Sequence, residues 1–223
     1  MNEIASYIDH TLLAPDAGAQ DIARICAEAA KYHFKSVCVN PIWVPAVAAA
    51  LAGSGVLTCS VIGFPFGATT TDSKVFEARR AIADGANEID MVIDIASAKA
   101  NDEAALAADI TAVAAAVHAG GAILKVIIET ALLTDDQKVI ACRASVAAGA
   151  DFVKTSTGYA GGGATVQDVA LMRSTVGPEM GVKASGGVRS METARAMIDA
   201  GATRLGSSSG VAIVEGEQGT TGY

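Results

Sequence analysis

The sequence predicts a single (β/α)8 barrel, and three observations support this. Short runs rich in β-branched residues alternate with longer Ala-rich runs along the whole 223-residue chain. The cores of the β-rich runs are continuously apolar, which is typical of parallel strands covered by helices. Roughly eight such units of about 28 residues follow one another without a linker or low-complexity segment. We therefore expect one barrel domain over residues 1–214, followed by a glycine-rich, flexible tail over residues 215–223.

The predicted elements alternate in order. Strands are expected at residues 8–13, 36–40, 57–64, 88–94, 124–130, 151–157, 181–187 and 204–208, where cores such as Val-Cys-Val and Lys-Val-Ile-Ile lie. Helices are expected between them, at residues 21–32, 73–83, 102–119, 135–148, 166–175 and 191–200. Thr134, Thr165 and Ser190 are typical N-terminal caps, and the Ala-Gly-Ala and Asp-Gly-Ala triplets are typical helix stops.

Charge and cysteine content limit the kinds of partner. The chain has 24 acidic and 16 basic residues, a net charge of -8, so it has no basic field for a nucleic acid or an anionic membrane surface. The uncharged stretch 36–71 is broken by prolines and glycines into runs too short to cross a bilayer. No signal peptide is recognised at the N-terminus, and the four scattered cysteines favour buried free thiols. We expect a cytoplasmic protein.

Charged residues within the predicted strands mark the candidate site. They are Asp9, His10, Asp90, Asp94, Lys125, Glu129, Lys154 and Lys183. Strands of such a barrel face either its interior or its helices, so these charges are buried at a cost of several kcal/mol unless something compensates them. One interpretation is an active site at the barrel mouth, and the alternative is a buried ion-pair network with a purely structural role.

Two lysines on successive strands indicate amine chemistry. Lys154 and Lys183 lie in the motifs Lys-Thr-Ser-Thr-Gly and Val-Lys-Ala-Ser-Gly-Gly, at the ends of two successive predicted strands. Ammonium groups brought together disfavour each other's charged form, which lowers the pKa of at least one. A neutral lysine amine can attack a carbonyl to form a Schiff base, an electron sink for cleavage of the adjacent carbon–carbon bond. Asp90 supplies a carboxylate that could move protons.

Glycine and serine after the last two strands predict an anion site. Gly186 and Gly187 follow strand seven, and residues 206–210 read Gly-Ser-Ser-Ser-Gly before a short apolar run. Open peptide N–H groups, hydroxyl donors and the start of a short helix can together hold a phosphate at this end of a barrel.

Four motifs together resemble the deoxyribose-phosphate aldolases. They are residues 62–67 (Ile-Gly-Phe-Pro-Phe-Gly), 124–130 (Leu-Lys-Val-Ile-Ile-Glu-Thr), 154–158 (Lys-Thr-Ser-Thr-Gly) and 182–189 (Val-Lys-Ala-Ser-Gly-Gly-Val-Arg), and the Asp-His-Thr-Leu-Leu opening at 9–13 also matches. The resemblance implies a homodimeric class I aldolase of deoxyribonucleotide catabolism that uses no metal or cofactor. It would interconvert 2-deoxy-D-ribose 5-phosphate with D-glyceraldehyde 3-phosphate and acetaldehyde.

The resemblance also implies residue roles. Lys154 matches the Schiff-base lysine, Lys183 the lysine that tunes it, and Asp90 the proton-relay aspartate. Cys38 matches a cysteine near the aldehyde pocket, although a buried core thiol is an equally good interpretation. The phosphate-contacting positions correspond to Gly158, Gly186, Gly187, Gly206, Ser208 and Ser209.

The resemblance leads to two further expectations, one for Tyr159 and one for Tyr223. The family can have a lysine after Lys-Thr-Ser-Thr-Gly, and here the residue is Tyr159, which implies weaker phosphate binding and better tolerance of non-phosphorylated aldehydes. The C-terminal Tyr223 matches a tyrosine on a flexible tail that assists proton transfer at the donor carbon.

Three alternatives stay open on the residues alone. A metal-dependent aldolase needs several converging ligands, whereas His33 and His118 lie at predicted helix ends and His10 alone lies near a strand. A phosphosugar isomerase or epimerase would reuse the phosphate site but would not require two lysines on adjacent strands. A non-catalytic phosphosugar-binding module would be signalled by loss of Lys154, which is present.

Overall fold

The computed structural model describes residues 3–219 and shows a closed barrel of eight parallel strands. The strands are β1 (Ile8–Leu12), β2 (Ser36–Val39), β3 (Leu57–Ile62), β4 (Glu88–Val92), β5 (Ile123–Ile127), β6 (Phe152–Lys154), β7 (Gly181–Ser185) and β8 (Arg204–Ser207). Each strand pairs with the next, and β1 pairs with β8 to close the sheet. The predicted (β/α)8 fold is confirmed.

Helices connect the strands around the outside of the barrel. They are α1 (Ala19–Tyr32), α2 (Val44–Ala50), α3 (Thr71–Ala83), α4 (Ile95–Lys99), α5 (Glu103–Ala119), α6 (Asp135–Ala147), α7 (Val166–Val176), α8 (Met191–Asp199) and α9 (Gly210–Glu215). The side chains of Thr134, Thr165 and Ser190 accept hydrogen bonds from the first turns of α6, α7 and α8, as their positions predict. None of the helices within residues 3–219 has the length and apolarity that a membrane crossing requires.

All eight predicted strands extend one to three residues past the observed ends, and in two of them the difference moves a charged residue out of the strand. β4 ends at Val92, and the carboxylate of Asp94 instead caps α4 by accepting a hydrogen bond from Ala96 N. β5 ends at Ile127, and Glu129 lies beyond it with a φ of 57°, in the left-handed region. Asp94 and Glu129 were expected inside strands, and that expectation is wrong, because each lies in the turn that leads to the next helix.

The apolar core lies between the strands and the helices, and the interior of the barrel is charged. The outward-facing strand residues Val37, Ile89 and Val153 are fully buried in the main apolar cluster. Inward-facing residues such as Asp90 on β4 and Lys125 on β5 are also fully buried. Charged side chains therefore occupy the space where many barrels hold branched apolar residues.

Candidate active site

Seven inward-facing side chains form what we call the interior charge cluster. All are at most 5% exposed, and they come from six strands: Asp9, Glu88, Asp90, Lys125, Lys154, Lys183 and Arg204. Strand register places them at matching heights, since Asp90 pairs with Lys125 and Lys154 pairs with Lys183. The parallel sheet thus brings distant parts of the sequence into one buried group.

Asp90 lies at the centre of the predicted catalytic residues. Its Oδ2 accepts hydrogen bonds from Lys154 Nζ at 2.8 Å and from Lys183 Nζ at 2.7 Å. Its Oδ1 accepts one from Lys125 Nζ at 2.8 Å. The structure therefore brings Lys154, Lys183 and Asp90 together, with both ammonium groups on one carboxylate oxygen.

The lower part of the cluster contains a second set of ion pairs. Lys183 Nζ lies 2.5 Å from Asp9 Oδ2, and Arg204 bridges Asp9 at 2.7 Å and Glu88 at 2.8 Å. Lys125 Nζ lies 2.6 Å from Glu88. These contacts match the structural network that was the alternative interpretation of the strand charges, so the site and the network are continuous.

The pKa of Lys183 differs from the sequence-based expectation for the lysine pair. Burial alone would lower it, but Asp9 and Asp90 outweigh burial and raise the pKa of Lys183 above its usual range. Burial would likewise raise the pKa of Asp90, but Lys125, Lys154 and Lys183 hold it well below its usual range. Lys183 is therefore charged and Asp90 ionised in the resting site, and the carboxylates between the lysines explain the difference from the sequence-based expectation.

Charge counting distinguishes Lys154 from the other cations. The cluster has four cations and three carboxylates. Within residues 3–219, Lys154 forms an ion pair with one carboxylate, whereas Lys183 contacts two and Lys125 three. A neutral Lys154 leaves the cluster with balanced charge, and Lys154 lies at the last position of β6, where the strand opens to the barrel mouth.

A glycine-lined cavity of about 390 Å³ lies where β6, β7 and β8 end, among the loops that follow them. Of the six predicted phosphate-contacting positions, five line it: Gly158, Gly186, Gly187, Gly206 and Ser208. Ser209 lines a neighbouring cavity with His10 and Arg24 instead. The cavity holds little bulk positive charge, so an anion there depends on peptide N–H groups, hydroxyls and the side chain of Arg189.

Sequence reasoning missed part of this cavity. Gly161, Gly162, Gly163 and Arg189 also line it. A Cβ on Gly163 would lie 2.4 Å from Gly186 O, so only glycine allows the β6–α7 loop to approach the β7–α8 loop this closely. The Gly-Gly-Gly run after β6 was the available signal.

An apolar wall faces the cavity across the mouth. It consists of Leu13, Cys38, Cys59, Val61 and Phe64, which pack together as a small cluster separate from the main core. Cys38 is therefore a buried thiol of this cluster, and its place near an aldehyde pocket stays a prediction. The Tyr159 ring meets Phe64 edge-on at 5.5 Å, and its hydroxyl donates to Leu13 O at 2.9 Å. Tyr159 thus closes the wall rather than the glycine-lined cavity.

Glu129 is a further residue at the mouth whose role the sequence did not indicate. It is 1% exposed, and its carboxylate accepts hydrogen bonds from the backbone N–H and the hydroxyl of Thr157. Burial raises the pKa of Glu129. The contact fixes the loop that follows Lys154.

The remaining predicted residues are His10 and, at the chain terminus, Tyr223. His10 Nε2 lies 2.6 Å from Glu28 Oε2, a buried pairing that matches the structural role expected for it. Gly219 N donates to Arg189 O at 2.8 Å, which anchors the start of the predicted tail. Tyr223 lies outside the described residues, and its role stays a prediction.

An amine that can attack a carbonyl, within hydrogen-bond reach of a carboxylate that can move protons, is suited to Schiff-base chemistry such as that of a carbon–carbon lyase of the aldolase type. Comparison with known proteins agrees with this class. A family model described as DeoC/LacD family aldolase matches residues 4–216. The chain therefore belongs to this family, and the predicted enzyme class is confirmed.

Individual relatives cover nearly the whole chain. Deoxyribose-phosphate aldolase 1 of Oceanobacillus iheyensis is 59% identical over 221 residues, which is 99% of this chain and 100% of the relative. The deoxyribose-phosphate aldolase of Micrococcus luteus is 61% identical and covers 95% of each chain. The tetrameric deoxyribose phosphate aldolase from Aeropyrum pernix aligns with a TM-score of 0.89 at 36% identity, covering 95% of this chain and 89% of that one. The resemblance seen in the sequence is confirmed.

Proposed function

We propose that this aldolase reversibly cleaves 2-deoxy-D-ribose 5-phosphate to D-glyceraldehyde 3-phosphate and acetaldehyde. The observation that carries the proposal is the hydrogen bond of 2.8 Å between Lys154 Nζ and Asp90 Oδ2, at the end of β6, the strand whose following loop helps to line the glycine-lined cavity. The two relatives that match this chain over almost their full length are named for this activity. The site supplies a group for each chemical step.

Lys154 is the nucleophile of the proposed route. Its neutral amine attacks the C1 carbonyl of the open-chain sugar, and loss of water from the carbinolamine gives an iminium. Removal of the proton from the C3 hydroxyl then breaks the C2–C3 bond. The bonding electrons pass to the iminium and form an enamine, which is protonated at C2 and hydrolysed to acetaldehyde. The iminium is the electron sink, so the route needs no metal.

Asp90 and Lys183 assist the reaction of Lys154. Asp90 shuttles protons between the amine, the carbinolamine and water, because its Oδ2 contacts Lys154 directly. Lys183 holds the same oxygen at 2.7 Å, which keeps Asp90 ionised and oriented.

Substrate binding uses the two faces of the mouth. The phosphate occupies the glycine-lined cavity, with Gly158, Gly186, Gly187, Gly206 and Ser208 around it, and Ser209 supports the turn that holds Ser208. The acetaldehyde portion lies toward the apolar wall that contains Cys38. Tyr159 makes that wall more apolar, so non-phosphorylated aldehydes are tolerated, and Tyr223 assists proton transfer at the donor carbon.

The setting of the enzyme is also part of the proposal. We propose a homodimer, which the family resemblance implied, and a cytoplasmic location, which the four free thiols support. The barrel would extend over residues 1–214, with a flexible tail from residue 215.

Schiff-base trapping tests the proposal. Incubation with acetaldehyde and a mild borohydride is expected to add one ethyl group per chain, and peptide mapping is expected to locate it at Lys154, since only an iminium is reduced. Lys125→Arg keeps a cation elsewhere in the cluster and serves as the control that retains Lys154. An adduct on another residue, or none, would overturn the assignment of Lys154.

Retro-aldol activity is expected to survive exhaustive EDTA treatment, and activity restored only by added zinc would point to the metal-dependent class.

A further inference from the structure

Two cysteine thiols face each other in the wall of the barrel mouth. Cys38 on β2 and Cys59 on β3 are directly paired in the strand register. Both are fully buried, and both side chains belong to the apolar wall, so they point to the same side of the sheet. The other two thiols, Cys26 and Cys142, lie on α1 and α6 in the main core.

The spacing of the pair suits a disulfide. The sulfur atoms of Cys38 and Cys59 lie within 4.8 Å of each other. Neighbouring strands are about 4.8 Å apart, and disulfides span Cα separations of about 4.4 to 6.8 Å. Rotation about the Cα–Cβ bonds can therefore bring the sulfurs to bonding distance without moving the strands.

The two thiols have different chemical character. The side chain of Cys59 lowers the pKa of Cys38, against the effects of burial and Asp90, and Lys183 and Lys154 add to the lowering. Burial and Cys38 raise the pKa of Cys59 well above its usual range. Cys38 is therefore the more readily ionised thiol and the nucleophile of the pair, and Cys59 is the thiol that resolves the product.

We propose that Cys38 and Cys59 are a reversible redox pair, which a small peroxide converts to a disulfide that slows the reaction at Lys154. The Cys38 thiolate attacks one peroxide oxygen, the O–O bond breaks, and Cys38 sulfenic acid and hydroxide form. The sulfur of Cys59 then displaces the second hydroxide, its proton passing to water, and the S–S bond forms. In total two thiols lose two electrons and two protons, and one hydrogen peroxide becomes two waters.

The link to catalysis is the contact of Cys59 with Asp90. Cys59 Sγ donates to Asp90 Oδ1 at 3.3 Å, and Lys125 Nζ lies 3.4 Å from the same sulfur. A disulfide sulfur has no hydrogen to donate, so Asp90 loses a partner on the carboxylate that also holds Lys154. Loss of one hydrogen bond to a buried charge corresponds to roughly tenfold. This step rests on the proposed function, in which acetaldehyde, a molecule of three heavy atoms, reaches Lys154. Hydrogen peroxide is smaller than acetaldehyde.

The experiment treats the full chain with hydrogen peroxide and follows three quantities. Intact mass is expected to fall by two hydrogens, and mapping without reduction is expected to show a peptide linking Cys38 to Cys59. Retro-aldol turnover is expected to fall about tenfold and to return on treatment with dithiothreitol. Cys142→Ala, which removes a buried thiol outside the mouth, is expected to behave like the unmodified sequence, whereas Cys59→Ser is expected to show no linkage and no dithiothreitol-reversible loss.

The outcomes separate this inference from the proposed function. Absence of the linked peptide, or oxidation of Cys38 to sulfinic acid alone, would overturn the redox pair even in an active aldolase. A linked peptide with unchanged turnover would overturn its effect on catalysis. If the untreated chain has no retro-aldol activity, the proposed function fails, while mass and mapping still decide whether the pair forms.

Discussion

At the scale of single residues, two lysines that are equally buried have different roles. Lys183 and Lys74 are both fully buried, and each contacts a carboxylate at 2.7 Å or less. Lys74 pairs with Asp109 between α3 and α5, outside the barrel. Lys183 pairs with Asp9 and Asp90 inside the barrel and below Lys154. Substitution of Lys183 and of Lys74 therefore separates the effect of a buried lysine on stability from its effect on catalysis.

We predict that Lys183→Met lowers turnover by roughly a hundredfold or more, and that Lys74→Met leaves it near the unmodified rate. Lys74→Met leaves the buried Asp109 without its cation and is expected to lower the free energy of unfolding by about 3–5 kcal/mol. Lys183→Met removes one of several cations from Asp9 and Asp90 and is expected to lower it as well. Urea unfolding and steady-state kinetics on the same preparations measure the two effects. Wild-type turnover in folded Lys183→Met would show that Lys183 is only a structural charge.

The proximity of the two lysines could be predicted because strand order alone was sufficient. Lys154 and Lys183 lie on successive strands and are paired in the register of β6 and β7, so their proximity follows from the fold class. Asp9 also contacts Lys183, and Arg204 joins Asp9 to Glu88, but those contacts depend on the closure of β1 against β8 and on a register that no local pattern encodes. The contribution of Asp9 to the raised pKa of Lys183 was therefore not anticipated.

At the scale of elements, one close approach between loops shapes the glycine-lined cavity. Ala164 N donates to both Ser185 O and Gly186 O at 3.0 Å, so the β6–α7 loop is fixed against the β7–α8 loop. A Cβ on the preceding Gly163 would lie 2.4 Å from Gly186 O, a distance that backbone atoms do not tolerate. The loop can accept a side chain there only by moving away.

We predict that Gly163→Ala raises KM for the phosphorylated sugar about tenfold, with a smaller change for a non-phosphorylated aldehyde. The displaced loop widens the cavity that holds the phosphate, whereas the apolar wall does not contact Gly163. Gly18→Ala is the matched control, because its added Cβ meets nothing closer than 3.8 Å. Equal effects on both substrates would mean that the loop acts on Lys154 rather than on phosphate binding.

Long elements were predictable because their signals are local, and short ones were not. The capping box at Thr134 and Gln137 marks the start of α6 in the sequence and in the structure. α4 has only five residues and follows β4 after one intervening turn, so its Asp94 cap could not be distinguished from a strand residue by periodicity. Polar residues after β4 and β5 lengthened the predicted strands for the same reason.

At the scale of the whole molecule, the interior charge cluster connects all parts of the barrel and makes stability depend on pH. Lys183, Lys125 and Arg204 outweigh burial and hold the pKa of Asp9 below its usual range, as similar contacts do for Asp90. Between the folded and unfolded pKa values, the unfolded chain binds more protons than the native one. The stabilisation is therefore present above about pH 4 and is lost as pH falls through the lowered values.

The basic side of the cluster sets the other limit. Asp90 and other carboxylates, against the effect of burial, raise the pKa of Lys125 well above its usual range, and Lys183 is raised as well. A raised lysine contributes stability fully below its unfolded pKa of about 10.4 and loses it as pH rises through the folded value. We therefore predict a plateau in the free energy of unfolding between about pH 5 and 9, with a steep decline on the acid side.

Substitution of one cluster carboxyl tests this prediction quantitatively. Each proton taken up on unfolding contributes a slope of about 1.4 kcal/mol per pH unit, so Asp90→Asn is expected to reduce the acid-side slope by about that amount. Asp136→Asn removes an exposed carboxyl and is expected to leave the slope unchanged. Urea midpoints measured from pH 3 to 7 supply the slopes. An Asp90→Asn slope equal to that of the unmodified chain would mean that acid unfolding is driven by carboxyls outside the barrel interior, and that the cluster does not govern the stability of the fold.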